Sequence, residues 1–250
     1  MLGFSGRKRR DTASRSLAHC TEADLWFAMD ATPTPPPSER GRIRRIAEKA
    51  RYDRDVIDAI LDAGLIAHLG LVAADGSPVV IPTTYARDAD RVIVHGSAAS
   101  RLIRAGASGV EMSLAVTLFD GMVVARSLFE SSMAFRSVVV LGRAVAIDDP
   151  DEKLAALLHL SDRLIPGRVT EARLPTDLEL RATRVFALPL DEASAKVSDS
   201  SVSDDPADRS LPIWAGFIPV SEVAGTPIAA PDVTADIALP QSVTRWTPTR

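Results

Sequence analysis

Between residues 65 and 147 apolar and polar positions alternate in short runs broken by turn residues, whereas stretches on either side repeat every three to four positions. The alternating runs have the period of half-buried strands, and the flanking stretches that of amphipathic helices. Val56, Ile57, Ile60 and Leu61 share one helical face, with Asp53 as N-cap and Gly64 just past the end, which predicts a helix over 54–63. "DDPDEKLAALLHLSDRLIPG" predicts a second helix, with Asp149 as N-cap, Pro150 at the first position, Glu152 completing a capping box and a stripe of Leu154, Leu157, Leu158 and Leu164. Shorter helices are predicted over about 98–105 and within "TDLELRAT".

"LIAHLGLVAA" and "PVVIPTTYAR" flank Asp75-Gly76, and "EMSLAVTLF" and "MVVARSL" flank Asp120-Gly121, so both dipeptides predict hairpin turns, the first of type I′. "RVIVHG", "FRSVVVLGRAVAI" and "RVFALPLD" supply further strands, and Gly142 predicts a bulge or bend. "KVSDSSVSDDPADRS" reads as a mobile polar loop before the core-like "LPIWAGFIPV". Short strands with hairpin turns and only peripheral helices predict a mainly β, antiparallel barrel rather than a doubly wound sheet.

The ends are read by composition. A basic, serine-bearing start and the proline-rich "TPTPPP" predict a disordered extension over 1–39. It is either a targeting segment or sequence upstream of a start at Met29, the second reading being preferred. The barrel domain then covers 40–222, with a tail over 223–250.

Composition narrows the partners. A net charge of −4 and a pI near 5.6 give the whole chain no electrostatic reason to bind nucleic acid or an anionic membrane. Its apolar runs are shorter than the roughly 20 residues that span a bilayer. A single cysteine, Cys20, rules out an internal disulfide and fits a cytoplasmic protein. The four histidines, His19, His68, His95 and His159, lack the spacing of a metal site, so no protein-built metal centre is expected. Neither GxGxxG nor GxxxxGK[ST] follows a strand, which removes the Rossmann and P-loop phosphate sites.

Candidate chemistry lies in "VIVHGSAASRLIRAG", a strand passing through small hydroxyl residues into a helix. Serine there is a common N-cap, and an arginine one turn on is often only exposed. The same pattern suits a phosphate: unpaired N–H groups at the helix start, Ser97 and Ser100 hydroxyls, and Arg101 as a forked cation, with His95 adjacent. The arginines of 40–54 read as a solvated face, or as contacts to a partner subunit or an anionic ligand.

"VVIPTTY", "VHGSAASRLIRA", "TLFDGMVVARS", "MAFRSVVVLGRA" and "LPLDEASAKV…LPIWAG", in this order, resemble the FMN-binding split-barrel family related to pyridoxamine 5′-phosphate oxidase, in the branch that contains the nitroimidazole-resistance proteins. The resemblance implies a six-stranded antiparallel split barrel, an obligate homodimer, and FMN held between the subunits. It places the flavin phosphate at His95, Ser97, Ser100 and Arg101, and the ring beside Ile81, Pro82, Thr83 and Thr84. Met133, Arg136 and Ser137 would approach from the other subunit, and Trp214 would close the site.

The chain departs from the family at Ala134-Phe135, where branch members often carry Asn-Tyr, and at Thr84, where the nitroimidazole-resistance proteins place a histidine. The C-terminal arginine and histidine of true pyridoxamine phosphate oxidases have no counterpart, so vitamin B6 oxidation is not expected. Two readings follow: an FMN-dependent oxidoreductase acting on a small molecule such as a nitroaromatic or quinone, or a non-catalytic carrier of FMN, FAD or the deazaflavin F420. No general acid or base stands out, Tyr85 and His68 being available but of a kind that is usually structural.

Overall fold

The computed structural model describes residues 34–248. The expected N-terminal extension therefore falls almost wholly outside the described residues, as do His19, Cys20 and Met29. The strands are β1 (Ala50–Arg51), β2 (Ile66–Val72), β3 (Pro78–Asp88), β4 (Arg91–Ser97), β5 (Glu111–Val124), β6 (Ser132–Arg143), β7 (Val145–Ala146), β8 (Thr183–Pro189), β9 (Ala193–Ser198) and β10 (Gly216–Pro219). The helices are α1 (Arg54–Ala63), α2 (Arg101–Ala107), α3 (Pro150–Leu164), α4 (Asp177–Ala182) and α5 (Gln241–Thr244).

All strand pairs are antiparallel, in the order β1-β9-β6-β5-β2-β3-β4-β8-β7, with β10 added to β5. β3 splits the barrel. Its first part, through Thr84, pairs with β2, and its remainder, from Tyr85, pairs with β4. The fold is the expected antiparallel split barrel, with ten strands among the described residues rather than six: seven longer ones, the short β1 and β7 at the two edges, and β10 on the far part of β5.

Alternation along the strands builds the interior. Ala67, Leu69, Tyr85, Val92, Val94, Leu114, Val116, Val138 and Val140 point inward and are almost wholly buried, together with Ile57, Ile60 and Leu61 of α1. Each fully buried Leu or Ile contributes about 1.5–3 kcal/mol. α1 occupies the residues expected, but Gly64 does not end it in a left-handed turn, its φ being −79°. The position needs glycine for room: a Cβ would lie 2.5 Å from Val116 Cγ1 and 2.6 Å from Tyr85 Oη. Tyr85 donates a 2.6 Å hydrogen bond to the Leu61 carbonyl, so its hydroxyl is structural.

α3 covers the outer side of the second sheet, burying Ala156 and Leu160 against Ala86, Ile93, Val185 and Ala187. Its contact stripe is shifted from the expected one: Leu157 and Leu164 take part, whereas Leu154 and Leu158 are only half-buried. Asp149 caps α3 by accepting from the Asp151 and Glu152 N–H groups. Glu152 forms no capping box, because its carboxylate takes Arg91 of β4 at 2.8 Å.

Three local expectations are corrected. In the first hairpin only Gly76 has positive φ, and its N–H donates to Ala73 O, so the turn is type I followed by a left-handed glycine, not type I′. Asp120-Gly121 makes no hairpin: β5 runs straight through it, and the pairing with β6 shifts there to leave Asp120 unpaired in a bulge. Gly142 sits in register opposite Met112, without a bulge.

The polar 198–210 stretch is pinned rather than loose. Asp204 is buried, accepts the Arg126 N–H at 2.8 Å and pairs with the Arg126 guanidinium, contacts that hold its carboxyl below the usual range. In the segment after 222, Ser242 bonds Glu171 and Trp246 Nε1 donates to Leu164 O at 2.8 Å. The arginines of 40–54 are largely paired within the chain: Arg40 with Glu192 and Glu111, Arg42 and Arg44 with Glu39, and Arg54 with Asp58 and Asp90.

Candidate functional site

On the outer face of the first sheet, register fixes which side chains meet. One row across β3, β2, β5 and β6 reads Pro82, His68, Ala115 and Val139, and a neighbouring row reads Val80, Gly70, Ser113 and Leu141. Thr84 lies opposite Ile66. His68 is exposed at the middle of this face, and its ring makes no hydrogen bond among the described residues. Around it stand the exposed apolar side chains of Ile66, Val72 and Val80. Gly70 keeps the floor low, because a Cβ there would come within 2.7 Å of Ser113 Oγ.

The strand segment predicted to lie along the ring divides by alternation. Pro82 and Thr84 share the outer face with His68, whereas Ile81 packs against the barrel core. Thr83 donates its hydroxyl to the Thr84 carbonyl at 3.1 Å.

The strand-to-helix turn forms as expected, with its helix starting slightly later. Ser100 is the N-cap of α2 and accepts from Ile103 N–H, Ser97 accepts from Ala99 N–H at 3.2 Å, and Arg101 opens the helix. Gly96 lets α2 approach, since a Cβ would meet Ile103 Cγ1 at 2.7 Å. His95 turns away to line a cavity of about 680 Å³ under α3, which Ser161, Arg168, Arg173 and Thr183 also line. Burial lowers its pKa and favours the neutral ring, and its Nδ1 is buried without a partner. The two arginines there already face Glu171 and Glu179, so that cavity holds no surplus cation from them.

The β6 residues lie elsewhere on the sheet. Arg136 is committed to Asp120, with Nε and Nη2 donating to the two carboxylate oxygens at 3.0 and 2.8 Å. The bulge at Asp120 frees that carboxylate for the pairing. Ser137 donates to Lys196 O at 3.4 Å. Met133 is exposed opposite Met122, and Met122 in turn pairs with Ile218 of β10, so Met133 shares an end of the sheet with exposed Trp214, just before β10.

His68 is the residue that sequence reasoning undervalued. Its signal was the alternation in "AHLGL": with Ala67, Leu69 and Leu71 inward, His68 and Gly70 must face out beside Pro82 and Val80. No group of three His, Cys, Asp or Glu side chains able to hold a metal ion occurs among the described residues. No helix among them is long and apolar enough to cross a membrane.

A barrel divided at β3, with a hydroxyl-lined turn into α2 and an open outer face, defines a split-barrel protein. Residues 53–197 match the family model described as pyridoxamine 5′-phosphate oxidase, and the chain belongs to that family. A solved structure, the flavocytochrome Anf3 from Azotobacter vinelandii, is 38% identical, covers 85% of this chain and 99% of its own, and superposes with a TM-score of 0.81. The FAD and haem binding protein from Mycobacterium smegmatis is 40% identical over 80% of this chain and 97% of its own, with a TM-score of 0.77. A comparison with curated proteins gave no match.

Proposed function

We propose that this chain is a flavin-binding redox protein that also carries haem, working as a pair of identical subunits. The observation that carries the reading is the outer face of β2 and β3, where Pro82 and Thr84 lie beside an exposed histidine on a flat apolar floor. Two relatives near 40% identity are a flavocytochrome and a FAD and haem binding protein, which supports haem and favours FAD over FMN.

The residues fit both groups. An uncommitted imidazole is the common axial ligand of haem iron, and Gly70, Ser113 and Ala115 leave space for a planar macrocycle beside it. Thr84 and the backbone of β3 suit the polar edge of a flavin ring. Ser97, Ser100 and the start of α2 suit its phosphate, with Arg101 the cation proposed from sequence. His95 serves the wall under α3 rather than the phosphate, since it lines the cavity there and partial burial favours its neutral form. Once bound, the two cofactors supply the electron chemistry, and the protein sets distance, orientation and exclusion of water.

Tyr85 faces inward on Leu61 and supplies no acid to this face. In the paired arrangement, the Met133–Ser137 segment of one copy approaches the flavin of the other, with Arg136 held in place by Asp120. The reaction is electron transfer to a small molecule.

The test is the absorption spectrum of the purified protein, followed by mass identification of what it releases. Flavin bands and a Soret band are expected, with His68→Ala removing the Soret band and leaving the flavin. Arg101→Ala should weaken flavin binding about tenfold to a hundredfold, the worth of one charge-assisted contact. Protein that stays colourless after incubation with FAD and hemin would sink the proposal.

A further inference from the structure

The segment after β10 returns to the body and walls one side of a second, open-sided cavity. Trp246 hooks onto the last turn of α3 through Leu164 O, and Ser242 is tied to Glu171, whose carboxyl those bonds hold below the usual range. Behind this strap lies a space of about 810 Å³, walled by Ile66, Leu164, Ile165 and Trp246, with Thr84 and Thr247 as polar points. That is a common size for a small-molecule site.

We infer that this cavity binds an uncharged, flat aromatic compound bearing a carbonyl acceptor. No lining residue is ionisable, so an anionic or cationic ligand would give up part of its hydration without gaining a counter-charge. Pyridoxamine phosphate and other phosphorylated compounds are thereby excluded from it, as is burial of a haem propionate. The indole of Trp246 offers an aromatic wall. The Thr84 and Thr247 hydroxyls, which make no hydrogen bond among the described residues, can donate to a carbonyl. Thr84 also belongs to the outer row of β3, so the cavity opens where the proposed flavin edge lies. Only this adjacency to the flavin rests on the proposed function; the binding preference rests on the lining.

The test is equilibrium dialysis of the full chain with coumarin and with coumarin-3-carboxylate, which carries the same ring system plus a negative charge. Coumarin should bind at least tenfold more tightly. Ala224→Trp, which fills the cavity from the exposed strap, should weaken coumarin binding at least tenfold without changing the flavin-to-protein ratio. Trp246→Ala should weaken it as well. Equal binding of the two probes, no measurable coumarin binding, or unchanged binding in Ala224→Trp would overturn the inference. Should Trp246→Ala fail to fold, Ala224→Trp decides alone. Coumarin binding by a protein lacking flavin bands would keep the cavity and reject the flavin.

Discussion

The two faces of β2 and β3 are built on the same residues' backbones and have opposite tasks. Inward, Ala67, Leu69 and Tyr85 are almost completely buried among side chains of β5 and α1. Outward, Ile66, His68 and Pro82 are exposed on one face, Pro82 directly opposite His68 and Ile66 opposite Thr84. A strand gives each face half its residues, so the inner face can be optimised for packing while the outer one stays unfilled for a ligand. Stability and the proposed binding thus fall on alternate positions of the same strands.

Adjacent substitutions should expose the separation. Leu69→Ala, on the inner face, should cost about 3 kcal/mol, seen as a lower urea midpoint at unchanged slope. Gly64→Ala should cost about 2 kcal/mol, because its Cβ would press on Val116 and Tyr85. Tyr85→Phe should cost about 1 kcal/mol by leaving the buried Leu61 carbonyl without its donor. With both proteins free of haem, His68→Ala should change the unfolding free energy by less than about 0.5 kcal/mol, while abolishing the Soret band that the unaltered chain shows after haem is added. A loss from His68→Ala as large as that from Leu69→Ala would break the comparison.

A pH profile adds a fifth measurement. His95 has a folded-state pKa below its unfolded value of about 6.5, because burial penalises the charged ring. The unfolded chain therefore binds the proton first as pH falls, and stability present above about 6.5 is lost toward the folded pKa. In His95→Asn that part of the slope should vanish.

The two Asp-Gly dipeptides show what a sequence carries and what it omits. Both have the local chemistry of a turn, and Asp75-Gly76 makes one because no neighbour competes for its backbone; Gly76 has open space around it. Asp120-Gly121 is overridden by β6 and β10, which pair with β5 on both sides of it, and the Gly121 backbone lies so close to Ile218 O that a Cβ would fall 2.3 Å away. The helix over 54–63, the barrel class and the serine turn were legible because each rests on local periodicity or capping. The commitment of Arg136 to Asp120, the placement of His95 under α3 and the centrality of His68 were not, since each depends on which element lies alongside. Outward direction at His68 was readable from alternation; its neighbours Ala115 and Val139 required the sheet order.

Gly64 also sets an order of assembly. The notch it leaves is filled by Val116 from β5 and Tyr85 from β3, two strands that do not pair with each other but are joined through β2. α1 therefore gains its full packing at this notch only with that three-stranded unit in place, as a stopper needs its bottle neck. Amide protons along α1 should accordingly gain protection later in refolding than those of β2, β3 and β5.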